Sequence, residues 1–140
     1  MRIADCGLRK IVAHAREAAP AECCGLLVGR SDEIVDAIPT RNVAGDESRF
    51  LIDPKDHIDG RREARRRGLE VVGFYHSHPR SPAEPSATDV AEASYPDHVY
   101  LIVSLASEPP DVALFRFANG GIFHPVEYVV SGFSRTFPSA

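Results

Sequence analysis

The chain has 140 residues, enough for one domain whose core needs no staple. Hydrophobic residues make up 44% and charged residues 26%, an ordinary globular balance, and a formal net charge of -4 argues against general affinity for nucleic acid or anionic membrane. No apolar run approaches the roughly 20 residues of a membrane span, and Met1 to Lys10 lacks the apolar core of a signal peptide.

Three cysteines, Cys6 and the adjacent pair Cys23-Cys24, make a poor disulfide framework and fit a reducing cytoplasm. Leu8, Ile11, Val12, Ala15 and Ala19 follow helical spacing, which predicts a helix over roughly 7–19 with Asp5 as cap and Pro20 as stop. Cys23 to Val28 is a short apolar run closed by Gly29, the pattern of a buried strand. Ile34 to Ile38 reads as its partner across a turn at Ser31-Asp32, and Phe50 to Ile52 as a brief strand after the irregular stretch 41–49.

Asp53-Pro54 marks a second helix start, an N-cap followed by proline at the first helical position, and Gly68 is placed to end that helix after Arg67. Its basic run, Arg61-Arg62 and Arg65-Arg66-Arg67, reads as a solvated face, with a docking patch for an acidic partner as the functional option. Val71 to His76 is the next strand, and Pro79, Pro82 and Pro85 stiffen the loop behind it. Ser86-Ala87-Thr88-Asp89 opens a third helix with a capping-box pattern in which Asp89 replaces the usual Glu.

Val99–Leu105, Val112–Phe117 and Ile122–Val130 read as closing strands, separated by turns at Glu108-Pro109-Pro110-Asp111 and Asn119-Gly120-Gly121. The tail 131–140 carries little periodicity. The expectation is one α+β domain over 1–130, with six or seven strands in a mixed sheet and three helices.

The chemistry gathers at His76-Ser77-His78-Pro79, followed by Ser86 and Asp89. Residues two apart on a strand face the same way, so both imidazoles can converge on one point. Asp89 falls in a first helical turn, where a carboxylate is favoured. Two imidazoles and one carboxylate leave a tetrahedral zinc with an open position, the pattern of a catalytic rather than a structural site.

Hydrolysis also needs a group that takes and delivers protons. Glu22, at the entry to an apolar strand, is the candidate, because a carboxylate there is costly unless paired or useful. Its bland reading is a solvent-facing strand end. Ser86 has two roles open to it, as a helix N-cap and as a hydroxyl that steadies an oxyanion. The remaining histidines lack spaced partners and read as structural or surface residues. Cys23 and Cys24 read as strand packing.

Glu22 together with His76, His78, Ser86 and Asp89 resembles the JAMM, or MPN-plus, metallopeptidase family. That signature is an upstream Glu followed by His-x-His, seven residues, Ser, two residues and Asp, and the spacing here shows no departure. The flanks Glu22 to Gly29 and Gly73 to Pro79, and Asp53-Pro54 after Phe50, look like the prokaryotic branch. The resemblance covers about residues 5–130.

It implies a cytidine-deaminase-like α/β/α fold, the JAB1/MPN fold, around a curved mixed sheet. It also implies one zinc on His76, His78 and Asp89, with Glu22 as general acid/base and Ser86 supporting the tetrahedral intermediate. Family members cleave peptide or isopeptide bonds after the terminal Gly-Gly of ubiquitin-like proteins, and bacterial relatives act on sulfur carriers of the same β-grasp shape. Deubiquitinating members carry long insertions; the short loops at 40–49 and 79–85 favour the prokaryotic role.

The rival from another class is a non-catalytic MPN-type scaffold, which should have lost one or more of Glu22, His76, His78 and Asp89. A cupin would want Glu three or four residues after the second His, whereas Glu84 follows His78 by six. An exposed sheet edge could support a homodimer.

Overall fold

A computed structural model describes residues 1–118 and 121–132. Among these residues the chain forms β1 (Arg2–Ala4), α1 (Asp5–Ala18), β2 (Cys24–Arg30), β3 (Glu33–Thr40), α2 (Pro54–Arg66) and β4 (Glu70–His78). It continues with α3 (Ala87–Glu92), β5 (Val99–Ser104), β6 (Asp111–Ala118), β7 (Ile122–Pro125) and β8 (Val129–Ser131). All eight strands join one mixed sheet in the order β7-β6-β5-β4-β2-β3-β1-β8. β2 pairs antiparallel with β3 and β4, while β4 pairs parallel with β5.

The two faces of the sheet are sorted by strand alternation. Leu27, Tyr75, Leu101 and Val103 pack with Ile11 and Ala15 of α1 on one face. Leu26, Val28, Phe74 and Tyr100 pack with Ala64 of α2 on the other. Across β4, therefore, Tyr75 and Ser77 point toward the α1 side, and Phe74, His76 and His78 toward the α2 side. Close approach fixes Gly73: a Cβ there would overlap the Val99 carbonyl on the neighbouring strand.

The mixed α+β architecture matches expectation, and several element boundaries differ from it. Helix α1 starts at Asp5 itself, which stands in the first turn rather than at the cap; Ala4 is the N-cap and provides no side-chain bond. Asp53 does cap α2, accepting from the Lys55 amide at 3.0 Å, and Gly68 follows in the left-handed region with φ 74°. Phe50 to Ile52 forms no strand, only an isolated bridge between Asn42 and Ile52.

The expected strand 122–130 divides in two. Ile122–Pro125 stays beside β6, whereas Val129–Ser131 crosses to pair in parallel with β1, a three-residue strand that the sequence pattern does not announce. Asn119 and Gly120 of the expected hairpin turn, and residues 133–140 of the expected tail, lie outside the described residues.

Candidate active site

β4, α3 and β5 form a parallel strand–helix–strand crossover, and the site forms where β4 ends and α3 begins. This is the crevice at the carboxyl ends of parallel strands, where open sheets commonly bind ligands. His76 and His78 occupy the last turns of the β4 pleat and are almost wholly buried. Asp89 is delivered by a full capping box: its amide donates to Ser86 Oγ at 3.0 Å, and its Oδ2 accepts from the Ser86 amide at 2.9 Å.

His76 Nε2 and His78 Nε2 lie 3.1 Å apart, and each lies 3.1 Å from Asp89 Oδ2. A tetrahedral zinc with donors at 2.0–2.1 Å requires donor–donor edges of about 3.3 Å, so this nearly equilateral triangle fits one face of such a polyhedron. The tautomer fits as well. His78 Nδ1 is 2.8 Å from the Pro82 carbonyl, to which it can only donate, leaving the Nε2 lone pair free for a metal. These three side chains form the only group able to hold a metal ion among the described residues.

The electrostatics suit a cation at the same point. Burial would raise the Asp89 carboxyl, but bonds from His76 and His78 outweigh it and hold the group well below the usual carboxylate range. Burial keeps His76 below its ordinary value, favouring the neutral imidazole that a metal needs. For His78 burial acts the same way, yet the bonds to Asp89 and Pro82 prevail and raise it.

Glu22 precedes Cys24 by two in the same extended run, and Cys24 stands opposite His76 in the β2–β4 register. The glutamate therefore shares the ligands' face of the sheet. It is 8% exposed, and its Oε1 is fully buried with no hydrogen-bond partner among the described residues. Burial, the largest influence, pushes the carboxyl up to about 7; His78 pulls it down, while Asp89 and Asp46 add to the rise. An acid poised near neutrality beside three metal-type donors is equipped to exchange protons at working pH.

Ser86 satisfies its expected capping role, with the Oγ accepting from the Asp89 amide while its own hydrogen remains free to donate. Cys24 lies close to the site, but burial pushes its thiol up to about 12 and that of Cys23 up to about 11, which suppresses both nucleophiles.

Three contributors escape the sequence pattern. Phe50 stacks on His76 with ring centroids 4.3 Å apart, Pro82 supplies the carbonyl that orients His78, and Asn42 ties the 41–53 loop to Glu22 through its main-chain carbonyl. Only Phe50, which opens a short apolar run after the polar stretch 41–49, gave any hint. Beside the triangle a cavity of about 460 Å³ runs over the part of the sheet that α2 leaves uncovered, lined by Phe74, Tyr95, Tyr100, Phe115 and Phe123.

Two other expectations shift. His14, one of the histidines read as structural or surface residues and by its place on α1 expected at the helix surface, is half-buried with Nδ1 2.7 Å from the Tyr75 hydroxyl. The basic run of α2 is not a uniform solvated face. Arg61 turns inward onto His57 Nε2 at 2.9 Å, and Arg67 reaches Asp36 at 3.0 Å.

Comparison with known proteins identifies the family. The family model described as prokaryotic homologs of the JAB domain matches residues 7–118. The desampylase of Haloferax volcanii is 45% identical over 101 residues, covering 67% of this chain and 73% of that protein. The CysO-cysteine peptidase of Mycobacterium tuberculosis is 36% identical over 115 residues, covering 80% of this chain and 79% of that protein. The solution structure of a Desulfitobacterium hafniense protein superposes with a TM-score of 0.85 at 32% identity, covering 93% of this chain and 92% of that one. The chain belongs to the prokaryotic branch of the JAB-domain, or JAMM/MPN, family.

Proposed function

We propose that this chain is a zinc-dependent peptidase that hydrolyses a peptide or isopeptide bond at the C-terminus of a ubiquitin-like or sulfur-carrier β-grasp protein. The observation that carries the reading is the pairing of a 3.1 Å donor triangle with a buried carboxyl group on the same face, whose Oε1 has no hydrogen-bond partner among the described residues. A scaffold has no use for an orphaned buried carboxylate, which is costly to keep. The names of the relatives, a desampylase and a CysO-cysteine peptidase, support the substrate class.

His76, His78 and Asp89 would hold the metal, which when bound polarises the scissile carbonyl and acidifies water. Glu22 accepts the proton of the attacking water and passes it to the departing amine, a transfer that needs a carboxyl raised toward neutrality. Ser86 directs its remaining O–H toward the oxygen on which charge develops. Asp89 and the Ser86 amide keep that hydroxyl in place through the capping box. The three free cysteines are in keeping with a reducing compartment.

The test is a mass-spectrometric assay with zinc-loaded protein and β-grasp carriers extended beyond their terminal diglycine. Glu22→Gln should keep the metal and lose about 100- to 10,000-fold in rate, the range for removing a positioned acid/base. Undiminished turnover would remove Glu22 from the mechanism. Absence of zinc after reconstitution would sink the ligand assignment.

A further inference from the structure

Glu22 lies just outside the ladder that orders its strand. β2 begins at Cys24, so the peptide group joining Glu22 to Cys23 is not paired by β2's own register. Both of its polar atoms are nonetheless occupied, and by side chains. The Cys23 amide donates to Ser77 Oγ at 2.8 Å, and the Glu22 carbonyl accepts from Asn42 Nδ2 at 2.9 Å.

Ser77 is the residue between the two histidines, facing away from them and fully buried. Asn42 comes from the loop on the other side. Its amide is saturated: Nδ2 also donates to the Arg49 carbonyl at 3.1 Å, and Oδ1 accepts from the amides of Ala44 and Leu51 at 3.0 Å each. Two carbonyls on one side and two N–H groups on the other permit a single orientation of that amide.

We infer that Ser77 and Asn42 are positioning residues that clamp the Glu22–Cys23 peptide plane, and so hold the Glu22 carboxyl at a fixed place relative to the donor triangle. A side chain leaves the backbone along a direction set by its two flanking peptide planes. Pinning one of them at both ends restricts where a carboxylate can swing. The cost of leaving either polar atom buried without a partner keeps the clamp closed. Ser77 links the clamp to the ligand strand itself, so the base is tied directly to the element that carries two of the three donors. Asn42 links it to the loop that lays Phe50 on His76.

The inference rests on the proposed role of Glu22, and its test separates the two. In metal-free protein, Ser77→Ala should speed exchange of the Cys23 amide at least about tenfold while the amides of Leu26 to Val28 keep their protection. The Glu22 side chain should be ordered by NMR relaxation in the wild type and mobile in both Ser77→Ala and Asn42→Ala.

With zinc and a sulfur-carrier protein bearing one cysteine beyond its diglycine, each variant should lose about 10- to 100-fold in kcat at unchanged KM and zinc content. Ser77→Thr, which keeps the accepting oxygen, should recover most of that loss. Asn42→Ala carries the test alone should Ser77→Ala not fold. A Glu22 side chain equally ordered in wild type and variants overturns the inference, as does a kcat loss matched by loss of zinc. If wild-type protein leaves the probe intact, the functional reading fails, and the NMR comparison still decides the clamp.

Discussion

Replacing Glu22 by Gln should make the metal-free protein more stable at alkaline pH. The fold raises this carboxyl from 4.5 to about 7, chiefly because burial disfavours its charge. For an acid, a raised folded value means the ionised form is the one the fold resists. The penalty is therefore nearly absent below pH 4.5, grows as pH rises through that value, and is complete above about 7. Each pKa unit corresponds to about 1.4 kcal/mol, so the shift sets a ceiling of about 3 kcal/mol. Local relaxation and solvent screening lower that ceiling, and a gain of about 1–2 kcal/mol is the working figure. Gln fills the same volume, carries no charge and does not titrate. The assay is urea unfolding with a chelator present, at pH 8 and pH 4.5, for wild type and variant. The variant should lead at pH 8 and the gap should close at pH 4.5. Equal stability at pH 8, or a gap indifferent to pH, would refute the account of a desolvated carboxylate.

Asp89→Ala removes one donor and the Oδ2 contact with the Ser86 amide, so zinc affinity should fall by at least about 100-fold in a chelator competition, since even outer-shell losses cost 10- to 100-fold. Unchanged affinity would exclude Asp89 as a ligand. Asp36 accepts from Lys10 of α1 and Arg67 beyond α2, bridging helices on opposite faces of the sheet. Burial would raise its carboxyl, but those bonds and the Ala37 amide hold it below its ordinary value. Its contribution is thus present above the unfolded value of about 3.9 and lost as pH falls through the lower folded one. Asp36→Asn should cost about 1 kcal/mol at pH 7 and progressively less as the pH is taken below the unfolded value, read by thermal unfolding along that series.

The donor triangle was legible because its geometry is local. Alternation along β4 brings His76 and His78 together, and a capping box places Asp89 in the first turn of α3. Glu22 was legible only as an anomaly, an acid bordering an apolar run; its place on the ligands' face depends on how β2 registers against β4. β1 left no trace, since Arg2–Ala4 is too short to show a period, and Val129–Ser131 read only as the end of the strand begun at Ile122; its pairing with β1 spans nearly the whole chain. Asn42 and Phe50 belong to a loop whose value lies in where it folds back. His14 looked like a surface residue because its partner, Tyr75, is 61 positions away.

The β2–β4 pairing also acts as a ruler. From Cys24–His76 to Leu27–Gly73 the register is unbroken, and its one irregularity falls between Leu27 and Val28, at the end remote from Glu22. A slip of one residue in the intact stretch would move the glutamate about 3.3 Å along the strand and turn it to the opposite face. Insertions or deletions toward Gly29, where β2 already shifts against β3, can be absorbed by the existing bulge. The same change between Glu22 and Leu27 would separate the acid from the donor triangle outright. Tolerance to length change along this strand should therefore be steeply one-sided, with the fold surviving at both ends and turnover surviving only at one.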